Sequence, residues 1–281
     1  MIEHVLNYKG KKYPTIDFES MYDVAKYLEN TKDLDEYSLT HTSVLSEQRS
    51  FFGVSKFDGL LDRLKYGDTE TTKYYLENLK KANEDGEEIN NIHMDIEGFA
   101  YDMGAVVSGE PECCVNSGHP TVKPHLNIYI DTGYCGAVAP EIIANRGIAI
   151  YQLVSSLLSK GYLLDIWIIH YIDCSSGGRY CQRIKLSTEY LTVSQLAFAG
   201  KCEFFRVITW LLTAIQKKDK DYQGSGKSEP AREVVEKLKK DGLFIPSGYT
   251  DSRFNSCSVK DALKYITEIF NDYVKGQNNE N

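Results

Sequence analysis

A chain of 281 residues with 42% hydrophobic and 26% charged residues can bury a sizeable core and has the composition of a soluble globular protein. The formal net charge of −8, from 40 acids and 32 bases, excludes a broadly basic nucleic-acid binder and is too mild for mimicry of DNA. Seven cysteines without regular spacing read as free thiols, MIEHVLNYKGKKYP lacks an apolar signal core, and no clean run of about 18 apolar residues offers a membrane span. The expected location is therefore cytoplasmic.

Residues 1–90 predict a mainly helical region. Phe18, Met21, Ala25 and Leu28 share one helical face behind a capping Asp17. Ser55 and Asp58 form a capping-box pattern ahead of the stripe Phe57, Leu60, Leu61 and Leu64, with Gly67 as the stop. A third helix is expected from Thr71 to Ala82. From Ala82 to Glu112 there are nine acids and no Lys or Arg. Within it, Ile92, Met94 and Ile96 alternate with polar residues as in a strand with an acidic face. Glu84, Asp85, Glu87, Glu88, Asp95 and Glu97 form a candidate contact surface for a protein partner with a basic surface, against the plainer reading of a solvated edge.

Residues 91–275 predict an α/β core domain. HLNIYID (125–131) reads as a strand and Pro140 to Lys160 as a long helix stopped by Gly161. LLDIWIIHYID (163–173) reads as a strand buried on both faces. This is a βαβ unit whose two strands run parallel. CSSGG then turns the chain into RYCQRIKLS, a returning antiparallel strand. Phe204 to Ile215 forms a buried helix, Pro230 to Lys240 a short one, and a last helix begins at the Ser258/Asp261 capping pair. The tail, 276–281, is expected to be disordered.

Several site chemistries can be weighed from residue type and spacing. GSGKS (224–228) is not a P-loop. The position of its first glycine holds Asp221, an anion where phosphate would sit, and KKDK rather than a buried strand precedes it. Residues 217–240 mix eight bases with five acids, which reads as a solvated face and not a phosphate track. Cys113, Cys114, His119 and His125 are four zinc-ligand types within thirteen residues, but adjacent cysteines diverge and the set is a weak one. A Cys135–His170 pair would need the fold to align it. Asp131, with its neighbour Thr132, and Asp173 fall at the carboxyl ends of adjacent parallel strands, where open α/β sheets bind ligands. Glu110 and Glu112 would join them if their loop folds over that edge. Such carboxylates suit Mg²⁺ or an acid–base pair, while the plainer reading makes them loop caps. No catalytic constellation is complete, so no catalytic residue is assigned, and no cofactor is expected apart from Mg²⁺ at that edge.

A strand ending in Asp, a long helix, a buried strand and a hairpin to an antiparallel edge strand resembles the von Willebrand factor A-type fold, a doubly wound sheet. The metal-ion-dependent adhesion site of that fold begins D-x-S-x-S. Here the positions read Asp131-Thr132-Gly133-Tyr134-Cys135, so both serine oxygens are missing. GVSKFDGLLDRLKYGD (53–68), SGEPECC (108–114) and NRGIAIYQLVSSLLSKGYLLDIWII (145–169) resemble an uncharacterised family encoded by phages and other mobile elements. The resemblance implies a phage setting and an accessory or anti-defence role in the host cytoplasm, and it carries no catalytic residue. The expectation is a non-catalytic factor that binds a host or phage protein, as an inhibitor of a defence complex. The alternatives are a metal-dependent enzyme or nucleic-acid factor acting through the strand-end carboxylates, and a self-assembling structural homo-oligomer.

Overall fold

Residues 2–18 form a hairpin rather than the first part of a helical region. In the computed structural model, which describes residues 1–8, 10–84, 94–95, 100–101, 114–115, 125–134, 136–174, 178–186, 193–222, 228–229 and 232–279, β1 (Ile2–Tyr8) pairs antiparallel with β2 (Lys11–Phe18). Gly10, at φ 79°, supplies the left-handed residue of the tight turn. Phe18 therefore ends a strand, and the cap of the first helix is Ser20, whose hydroxyl accepts from the Asp23 N–H.

The helices α1 (Met21–Glu29), α2 (Thr42–Glu47), α3 (Arg49–Phe52), α4 (Leu60–Tyr66) and α5 (Thr69–Glu84) follow. The Ser55/Asp58 capping box is not formed. Helix α4 begins after Gly59 in the left-handed region and has no side-chain cap, although Gly67 does end it. Asp68 caps α5 by accepting from the Thr71 N–H. Three two-residue strands, β3 (Met94–Asp95), β4 (Ala100–Tyr101) and β5 (Cys114–Val115), make a small separate sheet.

The central βαβ unit is as the sequence pattern predicts. β6 (His125–Asp131), α6 (Pro140–Ser159) and β7 (Leu163–Cys174) put two parallel strands side by side, and β8 (Arg179–Leu186) returns antiparallel to β7. Next come α7 (Val193–Ala199), a π-helical stretch (Phe204–Thr209) continuing into α8 (Trp210–Lys217), β9 (Ser228–Glu229), α9 (Arg232–Asp241), β10 (Leu243–Ile245) and α10 (Val259–Asn279). The Ser258/Asp261 capping pair is formed. Helix α10 continues through 276–279, residues expected to be disordered, because extending an anchored helix costs far less than nucleating one.

The main sheet has the order β1-β2-β8-β7-β6-β10, with β9 paired to the end of β7. β8 is thus not the edge. β2 lies parallel on its far side and β1 is the antiparallel edge beyond. The von Willebrand A-type resemblance makes RYCQRIKL the edge, but β2 covers its far side, where Cys181 and Ile184 are buried beside Thr15 and Phe18. The sheet runs across residue 90, joining β2 to strands of the second half of the chain.

The two faces of the sheet are covered unequally. Ile16, Phe18, Ile128, Ile130, Ile166, Ile168 and Ile184 face a large core shared with α1, α6, α7, α8 and α10. On the other face a smaller cluster joins Tyr13, Ile169, Tyr171 and Cys181 to Val234, Val235 and Leu238 of α9. Among the described residues, α6 is the one helix long and apolar enough to cross a membrane, and it packs as the central core helix with Arg146 buried in its second turn.

Candidate functional site

Asp131 ends β6 with its carboxylate buried, and four hydrogen bonds converge on it. The Gly133 N–H donates to Oδ1 at 3.0 Å. Oδ2 accepts from the Ser247 hydroxyl at 2.5 Å, the Thr250 hydroxyl at 2.9 Å and the Ser247 N–H at 3.3 Å. One carboxylate thereby holds the loop after β10 against the loop after β6. Gly133 and Gly248 permit the close approach. A Cβ at Gly248 would lie 2.0 Å from the Asn255 Oδ1 and 2.8 Å from the Tyr134 ring.

Arg146 fastens the same two strands from beneath. Its guanidinium donates to the carbonyls of Asp131 at 2.7 Å, Ile245 at 3.1 Å and Pro246 at 2.8 Å, between the rings of Tyr134 and Phe254. The neighbouring Asn145 donates to the Cys257 carbonyl. Burial pushes the Tyr134 phenol up to about 12.

Thr132 is engaged as well. Its hydroxyl donates to the Ile169 carbonyl at 3.2 Å and lies 3.2 Å from the His170 Nδ1. His170 is buried against Phe205, and desolvation lowers its pKa to about 3, so the imidazole is neutral at any physiological pH and cannot work as a base near pH 7. Cys135, its possible partner, lies outside the described residues.

The structure does not bring the two strand-end aspartates together. β7 runs past β6, and the register partner of Asp131 is Ile169. Asp173 lies four residues further on, about 13 Å along the strand, where it pairs with Arg179 of β8 and Glu229 of β9. Glu110 and Glu112 lie outside the described residues, as do Asp85, Glu87, Glu88, Glu97, Cys113 and His119. Glu84 ends α5, Asp95 lies in β3 and Cys114 in β5. His125 starts β6, at the opposite end from Asp131, and pairs with Asp165 at 3.0 Å. Among the described residues no three His, Cys, Asp or Glu side chains converge to hold a metal. The free thiols of Cys181 and Cys202 are buried, which raises both to about 12. Ser228 of the GSGKS stretch pairs with β7, and a helix, α8, precedes the stretch, so the strand–loop–helix order of a P-loop is not met.

A family model described as a domain of unknown function (DUF7192) matches residues 6–273. The chain belongs to the DUF7192 family. No curated protein and no solved structure matches it. The DUF7192 match starts within β1 and ends within α10, so β2, the helices from α1 to α9 and the βαβ unit fall inside one family unit.

The packing accounts for two of the distinctive sequence stretches. In the stretch 53–68, Gly67 at φ 80° abuts Ser194 of α7, and Gly53 leaves room for the buried Glu203 carboxylate. Desolvation raises that carboxyl, with Arg63 and Lys201 each 3.8 Å away. In the stretch 145–169, Asn145 and Arg146 hold the β10 loop, and Gly147 lets α6 approach Gly200 and Tyr75. Ser247, Thr250 and Arg146 are central to the site and were not legible as such. A serine and threonine in PSGYTD carry no signal until β10 is known to lie beside β6.

Proposed function

We propose that this chain is a protein-binding factor and not a catalyst, built on a von Willebrand A-like half-sheet. The carrying observation is the Asp131 carboxylate. At the sheet edge where α/β enzymes present reacting groups, it is fully engaged with Ser247, Thr250 and Gly133. The order β8-β7-β6-β10, with β8 antiparallel, supports the von Willebrand A-like reading, and β2 and β1 are additions beyond it. The donor set does not fit the cation of that fold. Gly133 offers an N–H where a serine oxygen would stand, and the Ser247 and Thr250 hydroxyls donate to Asp131 instead of facing a metal. The partner class is a host or phage protein, with inhibition of a defence complex as the role that the phage-family resemblance adds.

The test is reconstitution. The tagged chain is purified from infected host cells, its stoichiometric companion is identified, and the complex is rebuilt from the two pure proteins. A defined mass that survives EDTA is the expected result. No complex with any companion, together with Mg²⁺ affinity that Asp131→Ala removes, would establish the metal-dependent alternative in its place.

A further inference from the structure

β1 is one edge of the main sheet, and of the usual devices that keep an edge from pairing its sequence carries a single charged side chain, Glu3. It has no proline, no lysine and no glycine in IEHVLNY. Met1, Ile2 and Val5 are three of the most exposed large apolar residues in the described chain, with Ile2 and Val5 each 57% exposed.

The direction of its free hydrogen-bonding groups follows from one residue of β2. Val5 is paired with Pro14. Proline has no N–H to exchange, so Val5–Pro14 is the non-hydrogen-bonded kind of antiparallel pair, and the Val5 N–H and C=O point away from β2. Alternation then turns the backbone groups of Glu3 and Asn7 outward too, while those of Ile2, His4 and Leu6 bond to β2. The side chains of Glu3, Val5 and Asn7 are all exposed.

We propose that β1 pairs antiparallel with the β1 of a second copy of this chain, about a twofold axis at Val5. That register uses every outward group. Val5 exchanges two hydrogen bonds with Val5 of the second copy, and Glu3 exchanges two with Asn7 on each side of the axis, about six in all. The side chains are complementary in the same register. Val5 packs on its own copy, the Glu3 carboxylate faces the Asn7 amide, and His4 faces Leu6, so no like charges are opposed. This dimer is independent of the binding role proposed above and uses a different edge of the sheet from Asp131.

The mass of the full chain in solution, from about 1 to about 100 μM, tests it. The expected result is a concentration-dependent species of twice the chain mass. Val5→Lys places two like charges at the axis and raises the dissociation constant roughly tenfold or more. Val5→Pro removes the central outward N–H but no bond to β2, and leaves a folded monomer. Tyr66→Lys, at an exposed position on α4, leaves the dimer intact. A monomer at every concentration, or a dimer that Val5→Lys leaves unchanged, overturns the proposal. Val5→Lys decides alone if Val5→Pro fails to fold.

Discussion

Two polar networks lie on the same sheet and are built from similar groups in different surroundings. At the strand ends, Asp131, Ser247, Arg146, Thr132 and His170 are closed inside the protein, with Thr250 half-buried beside them. Across the less covered face runs a second row. His4 meets Asp17 at 3.0 Å, and Asp17 takes two hydrogen bonds from Arg183. Arg183 and Lys185 lie over the Trp167 ring at 5.4 and 5.7 Å, and Asp165 meets Lys185 and His125 at 3.0 Å. The first network joins loops from distant parts of the chain. The second joins neighbouring strands, and its charged side chains are partly exposed apart from Asp17, which is buried. Low dielectric makes the buried groups of the first network costly to lose, whereas water can replace the partners of the exposed groups of the second.

The largest expected effect concerns His170. Its folded pKa of about 3 is below the ordinary value of 6.5. The unfolded chain therefore binds a proton that the folded chain refuses, at any pH between those two values. Stability from this group is complete above pH 6.5 and is lost as pH falls, on the order of 5 kcal/mol by pH 3 and about 2 kcal/mol of it by pH 5. Urea unfolding at pH 7, 6 and 5 should show a steep acid decline that His170→Phe flattens. Equal slopes in both proteins would mean that His170 is accessible to water and that the first network is not closed.

Asp131→Ala comes next. It removes the acceptor of the Ser247 hydroxyl and the Gly133 N–H, while the Thr250 hydroxyl and the Ser247 N–H keep only their bonds to each other's residue, a loss of about 3 kcal/mol. Asp131→Asn should recover only part of this, because its amide NH₂ would face donors. A cost below about 1 kcal/mol for Asp131→Ala would show that Arg146 and Asn145 hold the β10 loop without it.

The βαβ unit was legible because apolar periodicity, Pro140 and Gly161 each mark a boundary of a long element. The β1–β2 hairpin was not. Its strands carry Glu3, His4, Asn7, Lys11 and Lys12, and only pairing with β8 buries Tyr13, Ile16 and Phe18. Gly10 was the local signal available. Three-residue β10 offered no periodicity at all, and with it went the chance to see Ser247 and Thr250 beside Asp131. The strand-end position of Asp131 was read correctly, but the spacing to Asp173 was not, since it depends on how far β7 outruns β6.

The smallest effect sharpens the comparison most. Lys185 has one carboxylate partner and one ring, both partly exposed. Lys185→Ala should cost about 0.5 kcal/mol, and less as salt rises, since screening weakens an attraction that crosses water. Its readout is the urea midpoint at low and high ionic strength. A salt-independent cost of 2 kcal/mol or more, the scale of a buried polar group, would place Lys185 in a closed environment. The row from His4 to His125 would then be a second interior network, with the open face of the sheet occupied by another layer.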